Sequence, residues 1–325
     1  MGCVGTKSHQ QSKSPFKTEV MLKQSPVKNQ DNSQLCWAYA MLGTIELEHL
    51  MQGDSVDLSV DYIARMYLKQ QAAEAFFAGG RKKVSLRGMA PMAIHLLQQY
   101  GITHYDAYHS NNINYNVLSN KINLAARISS SYTKMQQHTD DLLDGEIGYL
   151  PKKVMFLHAE YTFKEFAHSV CMPNEYLSLT SFTHHPYGKM FVLEVPDNKF
   201  RDSFLNLPLN TLMAHIKAAL RSGHPVCWEG DISEPGFSFE KGIAMLPHDP
   251  MNITPQLRQK LFETLQTTDD HCMILVGLAH DKQGNTYFIA KNSWGTHNPY
   301  HGYMYLSESY VRLKTIAVYM KKNNS

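Results

Sequence analysis

SQLCWAYA, Ser33 to Ala40, is the point where a polar loop gives way to a helix-periodic apolar segment, with a single cysteine on the boundary. Beyond Cys36, residues Trp37, Ala40, Met41, Thr44, Ile45 and Leu47 recur near the 3.6-residue period, which predicts an amphipathic or buried helix. Ser33 is the expected N-cap, placing Cys36 in the first turn. Unpaired N–H groups and the helix dipole favour negative charge there, and the thiolate is the nucleophilic form of cysteine.

The rest of the composition removes the competing roles for that cysteine. The five cysteines (Cys3, Cys36, Cys171, Cys227 and Cys272) contain no CxxC pair and are odd in number, against both a disulfide framework and a zinc knuckle. There are 17 histidines, including the THHP run from Thr183 to Pro186, but no HExxH or Cys/His spacing. They read as solvated loop residues, and neither a metal nor a cofactor is expected. Lys plus Arg number 31 against 29 Asp plus Glu, a net charge of +2 that gives no electrostatic reason to bind nucleic acid.

With 325 residues, 43% of them hydrophobic, the chain has material for one bilobal unit or about two domains. Its longest apolar run, Met273 to Ala279, falls far below the roughly 18 residues of a membrane span. Residues 1–15 are polar and read as a disordered tail. The start, MGCVGT, also matches a myristoylation pattern, with Cys3 as a second acyl site. An unmodified tail is the first reading; a lipid anchor through Gly2 or Cys3 is the second.

Along the chain, helical periodicity dominates the first half: Leu58 to Phe77 capped near Ser59, Gly88 to Gly101, then patterns from about residue 115 to 170. Strand-like runs dominate the second: KMFVLEVP, HPVCWEGD, DHCMILVGLAHD, TYFIAKNSW, HGYMYLSESYV and IAVYMKK. One amphipathic helix, PLNTLMAHIKAALRSG, interrupts them. A helical half followed by a mostly antiparallel half predicts an α+β fold of two packed lobes, with the cleft between them as the natural site.

A thiolate needs a base, and His271 heads the apolar strand of DDHCMILVG. Asn292, ending the next strand in AKNSWG, can accept a hydrogen bond from the imidazole without adding negative charge. Gln30, six positions before Cys36, offers an amide that could form an oxyanion hole with the Cys36 N–H. Cys171, Cys227 and Cys272 read as small buried hydrophobes.

Together, VKNQDNSQLCWAYA, DHCMILVG and AKNSWG resemble the active-site blocks of papain-like cysteine peptidases, in the order Gln, Cys, His, Asn. His271 and Asn292 lie 235 and 256 positions after Cys36, against about 130–150 in papain itself. That excess matches a helical insertion at about 106–172 and is similar to the bleomycin hydrolase and aminopeptidase C branch. TFKEFAHSVCMPNEYLSLTSF, HPYGKMFVLEV and AALRSGHPVCWEGDIS resemble that branch's middle section.

The resemblance implies a papain-like peptidase domain over 16–325, acting on peptides through Cys36, His271, Asn292 and Gln30. It implies that Trp294 covers the His271 to Asn292 bond, and that CWEGDIS, with Gly230 and Asp231, lines the cleft. Gly88, in SLRGM, stands where papain relatives have a Gly-Gly stretch. Relatives in the branch assemble into rings, so a homo-oligomer is an expectation. Thiol chemistry without disulfides favours a reducing, cytoplasmic compartment. Aminopeptidase action is the leading expectation; a thiol endopeptidase, another thiol acyl-transfer enzyme and a silent peptide-binding protein are the alternatives.

Overall fold

The computed structural model describes residues 14–111, 113–247 and 253–322. The expectations for Gly2 and Cys3, and nearly all of the proposed tail, lie outside them. Helices run over Cys36–Met51 (α1), Val60–Phe77 (α2), Pro91–Tyr100 (α3), Tyr115–Ile128 (α4), Tyr132–Glu146 (α5), Phe163–Val170 (α6), Leu209–Arg221 (α7), Pro255–Glu263 (α8) and Glu308–Lys314 (α9). The first strands are Lys17–Met21 (β1), Val154–Phe156 (β2), Ala159–Tyr161 (β3), Tyr176–Thr180 (β4), Met190–Val192 (β5), Ser203–Asn206 (β6) and Val226–Gly230 (β7). Those following are Phe237–Ser238 (β8), Ile243–Ala244 (β9), His271–His280 (β10), Thr286–Lys291 (β11), Tyr303–Ser307 (β12) and Thr315–Lys321 (β13). Among the described residues no helix is long and apolar enough to cross a membrane.

β2 and β3 form a separate hairpin, and the other strands join one sheet in the order β5-β6-β4-β13-β7-β10-β11-β12-β9-β8, with β1 also on β10. Its pairs are antiparallel except β4 with β6 and β12 with β9. Strand alternation explains why β10 is apolar without a break. Cys272, Ile274 and Val276 enter the core built by α1 to α6, whereas Met273, Leu275 and Leu278 enter a second core around α7. A strand covered on both faces has no polar side to show. The fold is the papain-like arrangement of a helical lobe against an antiparallel β lobe, and the cleft opens where β10 begins.

α1 is buried nearly all round, including Thr44, Glu46 and Glu48. It packs so close to β10 that a Cβ on Gly43 would stand 2.6 Å from Ile274 Cδ1. The starts of other helices follow their caps. Ser59 accepts from the Tyr62 N–H, and Thr162 with Glu165 forms a capping box before α6.

Three local expectations are corrected. Ser33 does not cap α1: Leu35 holds the cap position without a side-chain bond, and the Ser33 hydroxyl is buried without a partner. The Ser33 backbone is instead tied to Gln30, so the helix opens on Cys36 itself. The run HGYMYLSESYV is strand only to Ser307, whose hydroxyl then caps α9 by accepting from the Tyr310 N–H. Helix α8 was not expected, although Thr254 as cap and Pro255 in the first turn are ordinary start signals.

Candidate active site

Cys36, His271, Asn292 and Gln30 are brought together by three chain segments. Cys36 opens α1, His271 opens β10, and Asn292 directly follows β11, the antiparallel neighbour of β10. The loop before α1 is zipped to the loop after β11: Gln30 N–H donates to Ser293 O at 2.7 Å, and Gly295 N–H to Lys28 O at 3.2 Å. A cavity of about 200 Å³ is lined by Gln30, Cys36, Gly88, Asp269, Cys272, His271 and Trp294, among others.

The imidazole is held on one nitrogen. His271 Nε2 and Asn292 Oδ1 are 2.8 Å apart, both residues being almost wholly buried. Asn292 Oδ1 also accepts from the Ser293 N–H at 2.8 Å, while its amide nitrogen faces Met304 Sδ at 3.7 Å. The amide is thereby oriented with oxygen toward the ring, and His271 donates from Nε2. Nδ1 is left for the thiol. Trp294 packs on the imidazole at 4.7 Å between ring centroids.

Cys36 is held well below the usual thiol range. Its largest cause is a hydrogen bond from the Cys272 thiol, and His271 adds a hydrogen bond and its charge, together outweighing burial. Burial alone acts the other way: it pushes Cys171 up to about 12 and Cys227 well above its ordinary value. Cys36 is thus the activated thiol among the four described cysteines.

Gln30 is fixed at both ends. Its Nε2 donates to Ser33 O at 2.8 Å, and its Oε1 accepts from Ser293 Oγ at 2.6 Å. One Nε2 hydrogen remains for another acceptor. Gly88 lines the cavity, and a Cβ there would collide with Met92 Sδ at 2.5 Å.

Gly230 and Asp231 do not form the wall. Asp231 is fully buried, accepting from the Thr268 N–H at 2.9 Å and from Ser233 N–H and Oγ at 2.7 Å, with Lys314 Nζ at 3.6 Å. A Cβ on Gly230 would meet Lys314 O at 2.4 Å. Both brace the sheet behind the cavity, which Ile232 reaches instead. Sequence order alone could not separate them, because adjacent residues leaving a strand take opposite sides.

Several site residues went unread in the sequence. Cys272 lines the cavity beside His271, and Ser293 anchors Gln30. Behind the wall lies Glu229, directly opposite Cys272 in the β7–β10 register and fully buried. Burial pushes its carboxyl up to about 7, against hydrogen bonds with Asp269 and Tyr319. Asp269 is also raised, first by burial and then by the charge of Glu229. A charged residue inside the apolar run VCWEG was the available signal.

Away from this cavity, His184 and His185 both reach Glu194, at 3.1 and 2.7 Å. Their ligand atoms lie within 4.8 Å of one another, a His–His–Glu group of metal-binding type on partly exposed side chains. None of the three lines the Cys36 cavity.

Comparison with known proteins agrees with the geometry. Aminopeptidase G of Lactobacillus delbrueckii subsp. lactis is 26% identical over 154 residues, 43% of this chain, and the match spans about a third (33%) of that relative's length. The crystal structure of PepW from Lactobacillus rhamnosis HN001 superposes with a TM-score of 0.73 at 18% identity, covering 94% of this chain and 82% of that one, which is a likeness of fold. Residues 152–324, more than half of the sequence and including His271 and Asn292, match the Peptidase C1-like family, to which this chain belongs.

Proposed function

We propose that the chain is a cysteine-type peptidase in which Cys36 is the nucleophile, His271 the acid–base and Asn292 the residue that orients it. The carrying observation is the 2.8 Å His271 Nε2 to Asn292 Oδ1 bond, which leaves Nδ1 for a thiol held low in the same cavity. In the reaction, Cys36 attacks the peptide carbonyl as thiolate. The oxyanion is met by the Cys36 N–H, free at the start of α1, and by the spare Gln30 Nε2 hydrogen. His271 then protonates the leaving amine, and water activated by the same imidazole hydrolyses the thioester. Residues 106–172 are the insertion that lengthens the interval from Cys36 to His271.

Aminopeptidase action is the preferred form of this reading. One relative is named an aminopeptidase, and Asp270 lines the cavity without an ion pair among the described residues. Arg87 is already committed to Asp197 at 2.8 Å. Such a wall suits a substrate ammonium better than a carboxylate.

The test combines an epoxide inhibitor of thiol peptidases with fluorogenic peptides, free or acetylated at the amino end. An adduct mapped to Cys36 and cleavage of the free-amino peptide alone are expected. Cleavage of both means endopeptidase action, and undiminished turnover in Cys36→Ala refutes the mechanism.

A further inference from the structure

Cys272 sits on the face of β10 that looks at α1. Ile274, two residues along on the same face, is the side chain that a Cβ on Gly43 would strike at 2.6 Å. Gly43 lies seven residues, about two turns, after Cys36 on the matching face of α1. The two sulfurs are therefore carried by the facing surfaces of one helix–strand contact, and both line the cavity of about 200 Å³. The Cys272 thiol is the largest influence lowering the Cys36 thiol, ahead of His271.

From this juxtaposition we propose that Cys272 is a resolving thiol for Cys36, so that hydrogen peroxide converts the pair into a reversible Cys36–Cys272 disulfide that blocks the nucleophile. In the first step the Cys36 thiolate attacks one peroxide oxygen. An S–O bond forms, the O–O bond breaks, and hydroxide leaves with Cys36 as the sulfenic acid. Next the Cys272 sulfur attacks the Cys36 sulfur. The S–S bond forms, the S–O bond breaks, and the departing hydroxyl takes the Cys272 proton as water. Two electrons pass from the two sulfurs to peroxide, and a dithiol reductant returns them.

Chemistry and placement assign the two roles. Cys36 carries the low thiol and opens to the cavity, as an attacking residue must. Cys272 keeps its proton, raised by burial and by the bond to Cys36, and so waits for an electrophilic sulfur. Cys227 is the rival by proximity, standing opposite Ile274 in the register. It is fully buried in the lobe core, and burial holds its thiol well above the ordinary value. Without a neighbouring thiol, a sulfenic acid in an open cavity proceeds to the irreversible sulfinic acid.

The proposal about the thiols stands on packing, while its effect on turnover rests on the peptidase reading, and the experiment keeps the two apart. Reduced, full-length protein is treated with hydrogen peroxide, quenched with a thiol alkylator and mapped by mass spectrometry, with peptide turnover followed in parallel. The expected product is lighter by two hydrogens, with the Cys36 and Cys272 peptides linked. Turnover is lost, and dithiothreitol restores both turnover and alkylation of Cys36. In Cys272→Ser and Cys272→Ala, Cys36 gains two oxygens and dithiothreitol restores nothing. Wild-type protein in which Cys36 becomes sulfinic acid while Cys272 stays alkylatable, or in which Cys36 links to Cys227, overturns the proposal. If the reduced protein turns over no peptide, the peptidase reading fails, and the linkage is still scored from the masses alone.

Discussion

Asn292→Ala removes the acceptor that holds the His271 ring, and the size of the loss follows from where that bond lies. The contact is 2.8 Å long and almost fully buried, and in the mechanism proposed above its donor is an imidazolium. A hydrogen bond to a charged group contributes about 1.5–3 kcal/mol. At 1.36 kcal/mol per decade, kcat/KM should therefore drop by about 10- to 150-fold. The Trp294 ring, 4.7 Å from the imidazole, keeps His271 in place but does not choose which nitrogen faces Cys36. For that reason the loss should fall on kcat and on the rate at which a small alkylator labels Cys36, with KM little changed. Asn292→Asp keeps the acceptor and should lie between wild type and Ala. The assay is steady-state cleavage of a free-amino fluorogenic peptide, paired with timed alkylation read by intact mass. An Asn292→Ala enzyme within twofold of wild type on both readouts would show that the ring is held by something else.

Two further tests address the wall and the anchored amide. Gln30→Ala should lower kcat by about 100- to 1,000-fold while alkylation of Cys36, which passes through no oxyanion, stays close to wild type. Ser293→Ala frees only the anchor at 2.6 Å, so it should cost about 1 kcal/mol in kcat/KM and likewise spare alkylation; equal loss of both rates would mean that the loop has collapsed. Glu229, raised from 4.5 to about 7, contributes stability that is complete below about pH 4.5 and is lost as pH rises through about 7. Ionising it in the fold costs about 3 kcal/mol. Glu229→Gln keeps an acceptor for Tyr319 and gives Asp269 a donor, so its Tm should fall less than wild type between pH 5 and pH 8; parallel curves would refute the assignment.

The parts of the fold that could be read were those where local chemistry and burial agree. β10 declared itself through the run from Cys272 to Ala279 without a polar interruption, because both of its faces meet a core. α2 declared both its period and its cap at Ser59. What failed were junctions where one residue changes role. Ser307 ends β12 and caps α9 in the same position, so SES looked like continued strand. Ser33 has a cap's chemistry, yet its carbonyl is claimed by Gln30 and its N–H by the Gln30 carbonyl, which leaves the hydroxyl facing nothing.

The same distinction runs through the site. Cys36, His271 and Asn292 were legible because each stands at the boundary of an element, where a polar side chain escapes the periodicity around it. Cys272 and Glu229 were not, because their meaning is relational. In sequence Cys272 is one small apolar residue among eight buried neighbours on β10, and it does lie in the core. Only the register that sets it opposite Glu229, and the helix laid over that face of the sheet, turn it into the partner of Cys36. This placement has an electrostatic consequence. A thiolate at Cys36 and a charge on Glu229 or Asp269 repel each other, and each raises the proton affinity of the other. Ionisation of Glu229, half complete near pH 7, therefore weakens the depression of the Cys36 thiol. A buried acid that looks like a defect in an apolar strand is therefore coupled electrostatically to the nucleophile.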